Sequence, residues 1–274
     1  MSTVRMPKIV YGTAWKKERT TELVVQAVLQ GFRGIDTACQ PKHYREELVG
    51  EALRILQEKH GIRREDLFIQ TKYTPITGQD RSQPLPYDPA ASITEQVRTS
   101  FARSQKNLGT AFIDSLLLHS PLDTPEATLE AWRVLHELQQ EGKVGLIGIS
   151  NCYRIRPLLA LGREAPVNVV QNRWFEGNGW DKDILDYCNS NHIQYQSFWT
   201  LTGSPSLIRH PLLQDIALKY ECTPAQAVYA IAESFGVVPL AGSTSEKHML
   251  DGIRAEDLHL AKEDSDMIRG LIWE

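Results

Sequence analysis

The chain of 274 residues is 42% hydrophobic and 23% charged, a globular composition that excludes extended disorder, and its length suits one β/α barrel of roughly 250 residues. With 30 Lys and Arg against 34 Asp and Glu, a formal charge of −4, it lacks the basic excess needed to grip nucleic acid or an anionic membrane, so a small-molecule partner is expected. The four cysteines, Cys39, Cys152, Cys188 and Cys222, form no CxxC pair. With no signal-peptide core and no run approaching about 18 apolar residues, the expectation is a soluble, unprocessed protein of the reducing cytosol, without metal or disulfides.

In chain order, residues 8–12 read as a first buried strand, and residues 20–30 as a helix carrying Leu23, Val24, Ala27 and Val28 on one stripe. Residues 32–36 form the next strand, followed by a helix over 45–60 with Leu48, Val49, Ala52, Leu53 and Leu56 together. The unit then repeats: strand 67–71 and helix 89–107, strand 112–118 and helix 125–141, strand 144–149 and helix 155–161. Strand 167–170 with helix 182–190, strand 193–197 with helical segments through 234, and strand 237–239 with a helix from 245 complete eight pairs. Residues 262–272 read as an extra closing helix. Alternation of this kind predicts an α/β fold, a single (β/α)8 TIM barrel with an additional C-terminal helix, as one domain over residues 1–274. The stretch 74–89 carries prolines at 75, 84, 86 and 89 and reads as a long βα loop, a class that is commonly functional or mobile.

Six apolar runs end in residues suited to chemistry: Asp36, Lys72, His119, Ser150 with Asn151, Gln171, and Phe198. In a barrel of this type the carboxyl ends of the strands converge on the active site, so the ordering points to an enzyme. Taken singly, Asp36 could be a helix cap, Lys72 a solvated rim residue, and His119 a hydrogen-bonded core histidine. Their occurrence together at successive strand ends is not what those readings predict.

GFRGIDTA followed by Tyr44, then QTK with Lys72, LLLHSP with His119, and GISN with Ser150 and Asn151 resembles the aldo-keto reductases in the right order over nearly the whole chain. The resemblance implies a nicotinamide cofactor bound at the top of the barrel and metal-free carbonyl reduction. It assigns Asp36, Tyr44, Lys72 and His119 as the catalytic set. Hydride delivery to a carbonyl builds negative charge on oxygen, so a proton donor and fixed polar groups must stand there. A phenol is a weak acid at neutral pH unless a cation supports its phenolate, a part Lys72 can play with Asp36 fixing it, while His119 orients the carbonyl. The loop before Tyr44, CQPKH, is longer than usual in the family. His43 and Tyr73 are the alternative acids, although Tyr73, beside Lys72 on an extended segment, should point away from it.

For the cofactor, the resemblance implies Ser150, Asn151 and Gln171 on the nicotinamide carboxamide and Phe198 stacked on its ring, with Trp199 as an alternative. Gly12, Thr13 and Leu201 complete that side. Leu240 stands where the family often has a lysine for the 2′-phosphate; Gly242, Ser243, Thr244 and Ser245 can bind phosphate through backbone N–H groups at a helix start, and Lys247 or His248 can meet the adenosine end. NADPH is favoured, with NADH as the alternative. Trp15, Tyr73, Trp174 and Trp199 are expected to line the carbonyl substrate's pocket. The short C-terminus, ending at Trp273 and Glu274, and a reduced N-terminal hairpin imply an open pocket. A monomer or weak homodimer is expected. Two rival readings are a cofactor-binding regulatory or partner protein with little turnover, and a Schiff-base lyase using Lys72.

Overall fold

The computed structural model describes residues 5–273; residues 1–4 and 274, which the expected domain includes, lie outside them. Eight parallel strands close in sequence order into a barrel: β1 (Val10–Gly12), β2 (Gly34–Asp36), β3 (Phe68–Tyr73), β4 (Ile113–Leu118), β5 (Val144–Ser150), β6 (Val169–Arg173), β7 (Gln194–Phe198) and β8 (Val237–Ala241). The ring shuts where Val10 pairs with Leu240 and Tyr11 with Ala241. This is the expected (β/α)8 barrel.

The outer shell is built from α1 (Thr20–Leu29), α2 (Glu46–His60), α3 (Ile93–Leu108), α4 (Pro125–Gln140), α5 (Ile155–Glu164), α6 (Lys182–Ser190), α7 (Pro205–Arg209), α8 (Pro211–Lys219), α9 (Pro224–Ser234) and α10 (Glu246–Arg254). The closing helix is α11 (Lys262–Trp273). The longer shell helices bury one stripe each, whereas the five-residue α7 buries Leu207 alone. In α1 the stripe is Leu23, Val24, Ala27 and Val28, and in α2 it is Val49, Ala52, Leu53 and Leu56, with Leu48 half-buried. Full burial of one such aliphatic side chain contributes about 1.5–3 kcal/mol, which is what holds helices of ordinary propensity in place.

Several boundaries differ from the sequence reading for identifiable reasons. The third helix begins at Ile93 rather than 89 because Ser92 and Glu95 form a capping box. The helical stretch before 234 breaks into three, each opening on a proline, because proline fits the first turn and not the interior. β3 runs on to Tyr73 because Lys72 and Tyr73 find partners in Leu117 and Leu118. β6 starts later and includes Gln171, paired to Ser150 and Gln196.

The long loop after β3 is tied down rather than splayed. Tyr87 donates its hydroxyl to Thr74 O at 2.6 Å, and Gln79 donates its amide to Cys39 O at 3.0 Å and Thr74 O at 3.2 Å. Gln40 reaches Gly78 O at 2.7 Å, so this loop and the one after β2 form a single unit above the strand ends.

Candidate active site

Alternation along β3 sends Gln70 and Lys72 into the barrel, and Thr74 continues that face. Lys72 is 1% exposed and meets Asp36, at the end of β2, with Nζ 2.6 Å from each carboxylate oxygen. A further bond runs from Nζ to Thr37 O at 3.0 Å. Burial pulls the ammonium below its ordinary pKa, opposed by the charge of Asp36.

Tyr44 sits in the turn that leads into α2, its backbone N–H on Gln40 O at 3.0 Å. Its ring centroid lies 5.4 Å from Lys72 Nζ and 5.8 Å from the His119 ring, edge to face. The N–H groups of Lys72 go to Asp36 and Thr37, so the ammonium acts on Tyr44 through its charge. Burial pushes the phenol far above its usual value, and Asp36 adds to the shift. Tyr73, by contrast, turns outward: its hydroxyl donates to Gln96 at 3.1 Å and its ring packs on Tyr87. His43 stands on the rim, stacked under Trp15 with centroids 3.8 Å apart. Of the three candidate acids, Tyr44 is the one whose ring meets both Lys72 and His119.

His119 follows β4, its N–H on Tyr73 O at 2.8 Å. Its Nδ1 is 2.6 Å from Thr74 Oγ1. Burial, with help from the positive charge of Lys72, holds the imidazole pKa well below 6.5, so the ring is neutral near pH 7.

The residues expected to receive a cofactor form a connected band. Ser150 donates to Gln171 O at 2.7 Å, and Asn151 donates to His119 O at 2.8 Å from a left-handed backbone, φ 55°. Gln171 uses both amide hydrogens inside the barrel, on Asp36 at 3.0 Å and Gln196 at 2.9 Å, so its oxygen is the half left for a ligand. Phe198 is half-buried at the end of β7, with the Arg173 guanidinium 5.8 Å from its ring. Leu201 packs against the core. A Cβ at Gly12 would meet Ala241 O and Leu240 at 4.0 Å, ordinary van der Waals contact. Thr13 is fully buried and spends its hydroxyl on Asp36 O at 2.8 Å, so it clamps β1 to β2. Past β8, Gly242 and Thr244 are exposed and Ser243 is half-exposed before α10, with Lys247 exposed on the first turn. Lys16, which the sequence reading overlooked, crosses from the β1 loop to donate to Gly242 O.

The four aromatics expected around a substrate divide in two. Trp15 is 65% exposed and Trp199 50% exposed, both in the left-handed region with φ 64°. Tyr73 and Trp174 are corrected to core: Tyr73 lies between barrel and α3, and Trp174 packs on Trp180 and Phe235. Strand parity explains both, since each falls on the outward phase next to an inward polar residue. Arg173 lies 4.1 Å over the Trp199 ring and borders, with Asn151, Tyr153 and Asn178, a cavity of about 660 Å³ beside the mouth.

Other polar groups went unnoticed in the sequence. Thr74, Gln70 and Gln196 lie two residues from Lys72 or Phe198, so strand alternation was the available signal. Glu46, 3% exposed, accepts from Thr71 at 2.5 Å and Asn107 at 2.9 Å, and burial raises its pKa. Asp181, φ 48°, accepts from Asn172 and Tyr195 at 2.8 Å each, and burial raises its carboxyl to about 6. Among the described residues, no three His, Cys, Asp or Glu cluster as a metal site, and no helix is long and apolar enough to cross a membrane.

Comparison with known proteins bears on the family and the fold. An uncharacterized oxidoreductase of Bacillus subtilis, YtbE, is 31% identical over 98% of this chain and 90% of its own length. Methylglyoxal reductase DkgA of Escherichia coli K12 is 30% identical over 94% of this chain and 87% of its own. The crystal structure of an aldo/keto reductase from Brucella melitensis superposes with a TM-score of 0.80 at 27% identity, covering 97% of this chain and 95% of that one. The family model described as the aldo/keto reductase family matches residues 8–209, and with a closed eight-stranded barrel around a buried Asp36–Lys72 pair, this chain belongs to the aldo/keto reductase family.

Proposed function

We propose that this protein reduces an aldehyde or ketone to an alcohol at the expense of NADPH, with Tyr44 as the proton donor. The observation that carries the reading is the packing of the Tyr44 ring against both the Lys72 ammonium and the His119 imidazole, over a carboxylate that fixes the ammonium. When bound, the nicotinamide supplies the hydride.

The chain's own residues account for the rest. A carbonyl oxygen that gains negative charge needs donors aimed at it in a dry site. The raised pKa of Tyr44 keeps its proton in place until that charge develops. Thr74 can donate to Nδ1 of the neutral His119, which leaves Nε2 carrying a proton toward the mouth. The buried charge of Lys72 then stabilises the phenolate left behind.

The donor set fits a nicotinamide dinucleotide. Gln171 Oε1 can accept from the carboxamide, and the half-buried ring of Phe198 offers a stacking face. The turn of Ser243 and Thr244 leading into α10 presents backbone N–H groups, with Lys16 and Lys247 as nearby cations for a phosphate. These cations support NADPH despite Leu240. Methylglyoxal, the substrate named for the DkgA relative, heads the panel of carbonyls to test. Loss of reduced-nicotinamide absorbance with at least one aldehyde or ketone is the expected result. Tight NADPH binding with no turnover across such a panel would overturn it.

A further inference from the structure

Beneath the ion pair, four side chains from four strands close a ring. Gln70 of β3 donates to Asp36 Oδ1 at 2.7 Å and to Gln196 Oε1 at 2.7 Å. Gln171 of β6 donates to the same two oxygens at 3.0 and 2.9 Å. Gln196 of β7 turns its own amide back to Gln70 Oε1 at 3.1 Å and to Met6 Sδ at 3.3 Å. Gln70 and Gln196 are fully buried, Gln171 and Asp36 nearly so. An amide has two hydrogens, and both are used in Gln70 and Gln171. The direction of every bond follows from Asp36, because a carboxylate accepts only.

Barrel interiors at this depth are ordinarily filled by branched apolar side chains. Buried amides are tolerated only when fully paired, and a well-packed apolar layer would serve stability as well. Two of these amides, Gln70 and Gln171, meet at one oxygen, Asp36 Oδ1, which also receives Lys72 at 2.6 Å, while Gln196 ties the two together by accepting from both. We propose that Gln70 and Gln196 are positioning residues: Gln70 directly, and Gln196 by holding the amides of Gln70 and Gln171, fix the Asp36 carboxylate, and through it the point at which Lys72 presents its charge to Tyr44. The inference rests on the function proposed above for its consequence in turnover, but the positioning itself can be read without turnover. Gln70 and Gln196 each lie one layer deeper than Lys72 and Phe198, so their effect should fall on kcat rather than on binding.

The test uses Gln70→Met and Gln196→Met, which keep side-chain length and remove the N–H donors, and Gln70→Asn, whose amide is too short to reach. Lysine-selective nitrogen-15 NMR reads the Lys72 ammonium, assigned by its loss in Lys72→Met. A buried, fully bonded ammonium gives a protected resonance in the parent, and it should shift or broaden in the Gln70 and Gln196 variants. In parallel, kcat should fall about tenfold while KM for carbonyl and for NADPH stays within about twofold. An ammonium signal unchanged in all three variants overturns the proposal, whatever happens to kcat. A signal that responds while the parent reduces no carbonyl sustains the positioning and overturns only the proposed function.

Discussion

Thr74 Oγ1 lies 2.6 Å from His119 Nδ1, so Nδ1 has its partner within the protein and Nε2 is the imidazole nitrogen left to face a ligand. With the ring held neutral by burial, one nitrogen must accept and the other donate. Thr74→Val removes the hydroxyl at similar volume and with it the partner that orients the ring at Nδ1. Turnover should fall roughly tenfold with KM little changed, since general acid–base and orienting groups contribute about 10²- to 10⁴-fold in full. Steady-state kinetics beside His119→Gln checks it. Unaltered kcat in Thr74→Val would mean that the imidazole is oriented without this contact.

Tyr44→Phe should lower kcat by at least about 10²-fold and leave the NADPH dissociation constant nearly unaltered, because the ring stays and only the hydroxyl goes. Cofactor titration by fluorescence together with turnover separates the two. A fully active Tyr44→Phe enzyme would move the acid to another group.

Lys72→Met should cost about 3–5 kcal/mol of stability, because it leaves the Asp36 carboxylate buried without its cation. Adding Asp36→Asn should restore part of that loss without restoring activity. Denaturant melts of the two variants give the answer, and a double variant no more stable than Lys72→Met would contradict the argument.

Asp181 sits near pH 6 instead of 3.8, so folding raises its proton affinity. Above about pH 6 the carboxylate is ionised in both states and the folded protein carries the whole penalty. Between 6 and 3.8 the folded state takes up a proton and the penalty fades. Asp181→Asn keeps an acceptor for Asn172 and Tyr195 and suits the left-handed backbone. It should stabilise the protein by up to about 3 kcal/mol at pH 8, at about 1.4 kcal/mol per tenfold in proton affinity, and much less at pH 4. Melting temperatures across that range should show the gain shrinking on acidification; a gain independent of pH would count against it.

Gly50 lies inside α2, where alanine is ordinarily worth about 1 kcal/mol more than glycine. Here a Cβ would overlap the carbonyl oxygen of Asn107 at the contact with α3. Gly50→Ala should therefore destabilise, by about 1–3 kcal/mol as in other overpacked sites. A chemical melt showing stabilisation would mean that the two helices separate at little cost.

Eight apolar runs separated by amphipathic stripes dictate a parallel barrel, because neither kind of segment can bury its apolar face alone. Strand polarity then brings Asp36, Lys72 and His119 to one end, so those residues were legible from order and type. Alternation by two likewise implies that Tyr73 turns away and that Gln70 turns in.

Other features depend on distances that no local pattern encodes. The Asp36–Gln70–Gln196–Gln171 ring joins strands as far apart in sequence as residues 36 and 196, and its pairing is fixed by barrel closure. Trp174 looked like a pocket wall and became core because Trp180, before α6, and Phe235, after α9, pack on it. Thr74 reaches His119 because β3 and β4 are neighbours in register, Tyr73 against Leu118. Composition and periodicity set which residues seek the interior and which end of the barrel carries chemistry; hydrogen-bond partners and packed neighbours are decided only when the closed sheet fixes the spacing between strands.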